Sequence, residues 1–510
     1  MLGYPKGESV ALVDINPLLA LVMKPLSPVL PEPCQYFGIE VVLACTLQFF
    51  FAFRLFRLFL GWNLLGIALC SVFFLLAPPF NLRFRAHFAL TNQWLLLAVL
   101  LVFVQAQQQS SRSIRRFVLS AAPLAAVSVA INPYLAFQVL LILTTVVVSL
   151  LWQRRITLSQ SAAIVSLLVA VGLVTSYAFG LIIRGGRGYA GGGFRYYSMN
   201  LLALFDPLDR GTLLRGKLPT ATPGQYEGYN YLGAGVLLLA AVVVVVALAH
   251  RGKVWRPDRR WLIPLSSCCL LLALLALSTK VTMGARTLVD LDPKESLSPY
   301  FGVLRSSGRL FWAPYYAILA GTLAAPSLLF RRKWANLLIA GALVLQFVDT
   351  SALRRRVHTT IIEHHPSPLK SPIWSELGTL HQNLIVLPAF QCDFTSTSPW
   401  GPDGYRFFGF LAVQQKMRIN GYRSGRYTQV AQDFHCSQSV AELAQQPLSP
   451  DSAYVVTPEL ATAIAQGPTG PGKCHDVDNF ILCSSKTDFG LSPLPMSSVV
   501  PATGSAAEPR

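Results

Sequence analysis

The chain has 510 residues, 53% hydrophobic and only 13% charged, with a mean hydropathy of +0.48. Soluble domains carry roughly 25% charged residues, so water is excluded as the main solvent of this chain. The net charge of +18 would suit nucleic acid. However, Lys and Arg cluster at the ends of apolar runs, where they orient spans and meet anionic headgroups, and no aromatic-interleaved basic stripe is present.

In chain order, residues 1–36 are polar and Pro-punctuated and contain an interfacial-looking stretch, Pro17–Leu26, just after Asp14. Ten apolar runs follow, at 37–59, 61–80, 88–106, 117–132, 134–152, 158–180, 231–249, 261–279, 310–329 and 334–350. Each approaches the roughly 20 residues that about 30 Å of hydrocarbon demands of a helix. The predicted fold class is an all-α transmembrane helical bundle of about ten spans over 37–350, followed by a small soluble α+β domain at 351–490. The stretch 491–510, rich in Pro, Ser and Ala, reads as a disordered tail.

Short connections concentrate cations: Arg54 and Arg57; Arg112, Arg115 and Arg116; Arg154 and Arg155; Arg251 to Arg260; then Arg331, Arg332 and Lys333. The alternate connections, chiefly 181–230 and 280–309, are long and mix cations with Asp206, Asp209, Glu227, Asp290, Asp292 and Glu295. Orientation follows cation density in short loops, so the short basic turns are expected in the cytoplasm and the long loops outside. Arg354, Arg355 and Arg356 oppose this locally. An even span count then places both termini outside, which predicts either a crossing hidden in a re-entrant or interfacial helix at Pro17–Leu26 or, preferred, a further helix preceding Met1.

Cys392, Cys436, Cys474 and Cys483 all fall in the polar tail. Two disulfides in an exported domain are expected; three connectivities are possible, with Cys392–Cys436 and Cys474–Cys483 preferred because the latter closes a hairpin-like loop around Asn479. Reduced cysteines in a cytosolic domain are the alternative.

Candidate chemistry lies on the outer side. Asp14 could act as a general base or cap the helix after it. Arg305 and Arg309 bracket Ser306-Ser307-Gly308, so a phosphate could meet two guanidinium groups and backbone N–H donors; headgroup anchoring is the alternative. Arg83, Arg85 and His87 form a second basic group that could join the same anionic pocket. Glu227 and Tyr229, among Tyr226, Asn230 and Tyr231, could grip sugar hydroxyls or form an aromatic belt. Glu40 and Asp349 lie near span ends, where solvation at the interface is expected. No Walker A loop, dinucleotide fingerprint, HExxH or Gly-x-Ser-x-Gly elbow is present. No cofactor is expected, and a metal requirement is left open.

The strings Gly3-Tyr4-Pro5, Lys24-Pro25-Leu26-Ser27-Pro28, Tyr226-Glu227-Gly228-Tyr229-Asn230-Tyr231 and Arg305-Ser306-Ser307-Gly308-Arg309-Leu310-Phe311-Trp312 resemble the bacterial membrane family DUF6311. That family is similar in layout to the GT-C membrane glycosyltransferases, which take sugar from a polyprenyl-phosphate carrier on the outer side. The resemblance implies a bacterial inner-membrane protein and transfer to a cell-envelope glycan or lipid, with Asp14 as the remaining acidic residue of the first outer loop. Arg305 and Arg309 would hold the lipid-linked phosphate. The first helix of that layout and the acidic residue expected shortly after it have no counterpart upstream of Met1. An envelope-lipid transporter and a non-catalytic assembly protein are the alternatives.

Overall fold

The computed structural model describes residues 2–13, 15–61, 63–108, 113–182, 189–190, 193–249, 259–292, 305–363, 365–392, 399–401, 403–424, 427–469 and 473–486. Asp14, most of the Gly-rich run Arg184–Phe194 and the tail 491–510 lie outside them.

Helices occupy all ten apolar runs: α2 (Phe37–Leu60) follows the short α1 (Pro17–Met23), then come α3 (Leu64–Leu75) with the small α4 (Pro78–Leu82), α5 (Trp94–Gln108), α6 (Ser113–Ile131), α7 (Pro133–Trp152), α8 (Leu158–Ala178), α9 (Ala234–Ala249), α10 (Arg259–Leu277), α11 (Trp312–Leu329) and α12 (Arg332–Asp349). Six helices among the described residues are long and apolar enough to cross a membrane, and up to eight if each of two bent pairs counts as one span. One bent pair is Leu64–Leu75 with Pro78–Arg85; the other is α12 with α13 (Ser351–Ile362). The ten-span expectation exceeds eight by two, because Ala234–Val246 is a shorter apolar helix and Trp312–Leu329 is not among the helices long and apolar enough to cross.

Local chemistry sets the helix starts. Asn132 caps α7 by accepting from Tyr134 N, with Pro133 in the first turn, and Thr157 and Gln160 form a capping box on α8. Asn16 caps α1, its side chain accepting from Leu19 N at 3.1 Å. Trp312, Tyr315, Tyr316, Phe73, Phe74 and Phe103 are buried in the bundle core. Val42 and Phe50 of α2, Leu173 and Val174 of α8, Val244 and Val245 of α9 and Leu270 and Leu274 of α10 are exposed. An outward apolar surface shared by so many helices suits hydrocarbon, where backbone polar groups are satisfied inside each helix.

The helix ends sort onto two faces. On one, Arg332 Nε donates to Asn63 Oδ1 at 3.1 Å, Arg155 Nη1 to Ala106 O at 2.9 Å, and Ser149 Oγ to Arg260 O at 3.2 Å, gathering the short basic connections. On the other lie the N-terminal segment, the long loops and the C-terminal domain. There Tyr4 N donates to Ile419 O at 3.0 Å, Tyr422 OH to Glu8 Oε2 at 2.9 Å, and the strand Tyr189–Ala190 pairs with Tyr427–Thr428. This second face is called the domain face below. Its loop 280–309 opens with a hairpin of Lys280–Met283 against Arg286–Asp290, a feature absent from the sequence expectation.

The C-terminal region is α+β. A five-stranded sheet runs in the order Arg418–Ile419, Asn383–Leu387, Ser452–Val456, Phe480–Cys483, Cys474–Val477; the first three strands are parallel and the last two form an antiparallel hairpin. Trp374, Trp400 and Phe408 from flanking segments pack on Leu384 and Val386. Asp478 and Asn479 turn the hairpin with positive φ of 55° and 65°, the left-handed conformation that two-residue hairpin loops use. Disulfides join Cys392 to Cys436 and Cys474 to Cys483.

Candidate functional site

Two short 3-10 turns meet at the domain face. Pro223–Gly228 precedes α9 and Ser307–Phe311 precedes α11. A Cβ on Gly308 would sit 2.6 Å from Gly228 Cα, so the turns touch backbone to backbone only because residue 308 is glycine, while a Cβ on Gly228 would instead meet Met199 Cα at 2.7 Å. This contact sets their neighbours, Glu227 and Arg309, side by side.

Arg309 Nε and Nη2 donate to Glu227 Oε2 and Oε1, each at 2.9 Å, a fork-on-fork pair. Arg83 Nη1 donates to Glu227 Oε2 at 2.8 Å, and His87 Nε2 lies 3.7 Å from Oε1. Glu227, Arg83 and Arg309 are 3%, 2% and 8% exposed. The guanidinium groups also lie over aromatic rings, Arg83 at 5.2 Å from Trp312 and Arg309 at 5.1 Å from Tyr134. Tyr134 OH accepts from Ser306 N at 2.8 Å, and Gln138 accepts from Ala313 N at 2.9 Å, which holds the turn on α7.

Burial raises the Glu227 carboxyl, but Arg309 and Arg83 together outweigh it and hold the group well below the usual carboxylate range. Glu227 is therefore a fixed anion and a poor general base. Among the described residues one carboxylate, Glu227, meets two guanidinium groups in a dry position, and Arg83 Nε has no hydrogen-bond acceptor. An arrangement of this kind favours an oxyanion, phosphate above all.

The other expected residues are placed differently. Arg305 turns to Tyr197, with its guanidinium 5.2 Å from that ring, and Tyr197 packs on Tyr226 at 6.2 Å. Arg305 and Arg309 thus face different partners. Arg85 is exposed and reaches Thr360 at 3.3 Å, away from Glu227. Tyr229 is 2% exposed beneath Arg210, so it offers no surface to a sugar. Glu40 and Asp349, expected at a solvated interface, are 2% and 0% exposed. Glu40 accepts from Asn16 and Asn92 at 2.9 and 3.0 Å. Asp349 accepts from Tyr231 OH and the N–H groups of Leu213, Leu214 and Ala234, fastening loop and helix starts. Among the described residues, no three His, Cys, Asp or Glu side chains are grouped to hold a metal ion.

A groove of about 1100 Å³ lies on the same face between the N-terminal segment and the C-terminal domain, lined by Met23, Lys24, Tyr36, Trp374, Phe410 and Lys416 among others. Phe37, next to Tyr36, stacks on Phe88 at 4.8 Å, and Phe88 adjoins His87. The groove and the Glu227 cluster are therefore linked through adjoining residues.

Apolar helices of spanning length, carrying a small α+β domain and an arginine–carboxylate cluster on one face, define a multi-pass helical membrane protein. The chain belongs to the DUF6311 family, a domain of unknown function: residues 1–351 match that domain and residues 373–485 match the DUF6311 C-terminal domain. No curated protein matches the chain.

Proposed function

We propose that the protein is a membrane glycosyltransferase of GT-C-like layout that moves a sugar from a polyprenyl-phosphate carrier to a cell-envelope glycan or lipid. In this reading all ten helical runs cross the inner membrane and the domain face is periplasmic. The observation that carries it is the buried Arg83–Glu227–Arg309 cluster, whose two preorganised guanidinium groups suit the phosphate of a lipid-linked donor. Glu227 acts as a positioning residue, holding both guanidinium groups before substrate arrives, which avoids reorganisation during reaction. The acceptor oxygen attacks the anomeric carbon while the bond from that carbon to the phosphate oxygen breaks. The electron pair leaves with the phosphate, whose growing charge Arg309 and Arg83 stabilise. The acceptor proton passes to a base, for which Asp14 is the candidate from sequence. The prenyl chain lies between helices, and the groove beside Tyr36 gives the acceptor room.

The test is a proteoliposome assay with radiolabelled polyprenyl-phosphate sugars and an envelope extract as acceptor. A labelled glycosyl product is expected. Movement of the lipid across the bilayer with no product would replace this reading with transport.

A further inference from the structure

Arg83 and Arg85 leave one turn for different partners. Arg85 Nε donates to Thr360 Oγ1 at 3.3 Å, and Thr360 donates to the carbonyl of Arg356, one helical turn earlier on α13, at 2.9 Å. Residues four apart share a helix face, so the Arg85 guanidinium lies along the face that carries Arg356. The loop before α9 is pinned to the start of this helix, because Thr212 Oγ1 meets Ser351 Oγ at 2.8 Å and accepts from Ala352 N at 3.0 Å. That loop brings in Arg210, half-buried, with its guanidinium 5.4 Å from the Tyr229 ring and Nη1 donating to Leu208 O at 3.0 Å.

Among the described residues, Arg85, Arg210 and Arg356 form no salt bridge. Among the described residues, Arg210 Nε is buried without a hydrogen-bond acceptor. Burial first, then the charges of Arg85 and Arg356, hold the Arg210 guanidinium below its ordinary range, against the opposing pull of Tyr229 and the exposed Asp209. The buried carboxylates nearby are committed elsewhere. Asp206 Oδ1 accepts from Leu208 N and Leu218 N, and Asp349 is filled by its four donors.

We infer that Arg85, Arg210 and Arg356 form a second anion site on the domain face, separate from the Glu227 cluster, which takes a phosphate-type group. Three guanidinium groups on three separate elements suit the several oxygens of a phosphate, each oxygen accepting from a different fork. The site accounts for arginines kept beside the last apolar helix on the face where the proposed orientation disfavours cations. Occupation would also tie the turn Arg83–Arg85, the 206–215 loop and α13 together.

Full-length protein in detergent is incubated with phosphatidylglycerol, phosphatidylcholine or inorganic phosphate, and retained ligand is measured after purification. Wild type is expected to retain phosphatidylglycerol over phosphatidylcholine. Arg85→Gln with Arg356→Gln should lower retention about tenfold, the effect of losing charge-assisted hydrogen bonds. The exposed neighbour change Arg355→Gln should leave it unaltered. Displacement of the lipid by inorganic phosphate, or retention of phosphate alone, identifies free phosphate as a ligand; lipid retention that phosphate does not displace identifies the headgroup. Equal retention by wild type and the double variant, or the same loss in Arg355→Gln, overturns the site. All three substitutions are at exposed positions, and an unchanged thermal transition confirms that the variants are folded.

Discussion

Arg83 Nη1 donates to Glu227 Oε2 at 2.8 Å, joining the turn before α5 to the loop before α9 across 144 residues of sequence. Both groups are buried, and Arg309 closes on the same carboxylate from a third element. Removing one member of a buried ion cluster leaves the rest uncompensated, which costs about 3–5 kcal/mol. Glu227→Gln is therefore expected to lower the thermal transition of the detergent-solubilised protein markedly, whereas Arg355→Gln, exposed on α13, should leave it in place. A transition unchanged in Glu227→Gln would show that the cluster does not hold the two turns together.

The same carboxylate gives a pH dependence of definite sign. Its folded pKa is depressed below the ordinary carboxylate value of about 4.3. Its contribution is therefore complete above that value and is lost as pH falls below it toward the depressed folded value. Stability measured from pH 7 downward should hold until about 4.3 and then decline, with a smaller decline in Glu227→Gln.

Gly308→Ala tests the backbone contact that builds the site. The added carbon would stand 2.6 Å from Gly228 Cα and 2.9 Å from Gly228 N, where no flexible side chain can yield. The two turns must separate, at a cost of about 1–3 kcal/mol. Cross-linking a cysteine pair placed at Tyr226 and Ser307 should fall in this variant. Undiminished cross-linking would mean that the turns tolerate a side chain.

Asp349→Asn removes one of two carboxylate oxygens and turns an amide N–H₂ toward N–H donors. Four donors then share one acceptor, and the unsatisfied groups cost about 1–3 kcal/mol. Limited proteolysis should cut the 206–218 loop faster than in wild type. Equal cutting rates would show that the loop is held by other contacts, such as Thr212 with Ser351.

Maleimide labelling of the denatured chain reads the cysteines directly. Five are free, Cys34, Cys45, Cys70, Cys268 and Cys269, so five labels are expected before reduction and nine after it. Nine without reduction would contradict the pairing. Cys436→Ser removes a cross-link of sequence separation 44 and should destabilise the domain by about 4 kcal/mol in the chain-entropy description.

The apolar runs were legible because a bilayer demands long apolar helices, and a helix occupies each run, six to eight of them long and apolar enough to cross. The short strands at Asn383–Leu387 and Ser452–Val456 were visible as apolar runs for a similar reason. Arg83 and Arg309 could be expected in one anionic pocket from their place beside apolar helices, but their meeting on Glu227 could not: no local pattern reports a contact spanning 144 residues. Gly228 and Gly308 were a faint signal, since paired glycines beside charged residues permit close backbone approach. Arg85 and Arg83 share one basic run, yet a 3-10 turn sends them to Thr360 and Glu227. Glu40 and Asp349 were expected in a solvated interface because they lie at helix ends; loops fold over those ends and bury them.

Sugar transfer by purified protein tests the central claim most directly. Initial rates from a radiolabelled polyprenyl-phosphate donor are compared for wild type, Glu227→Gln, Arg309→Ala and the double variant, with folded protein quantified in each sample. Residues that act as one unit give non-additive losses, so each single variant and the double variant should fall by a similar factor of about 100 or more. Transfer at the wild-type rate by folded Arg309→Ala would contradict the account.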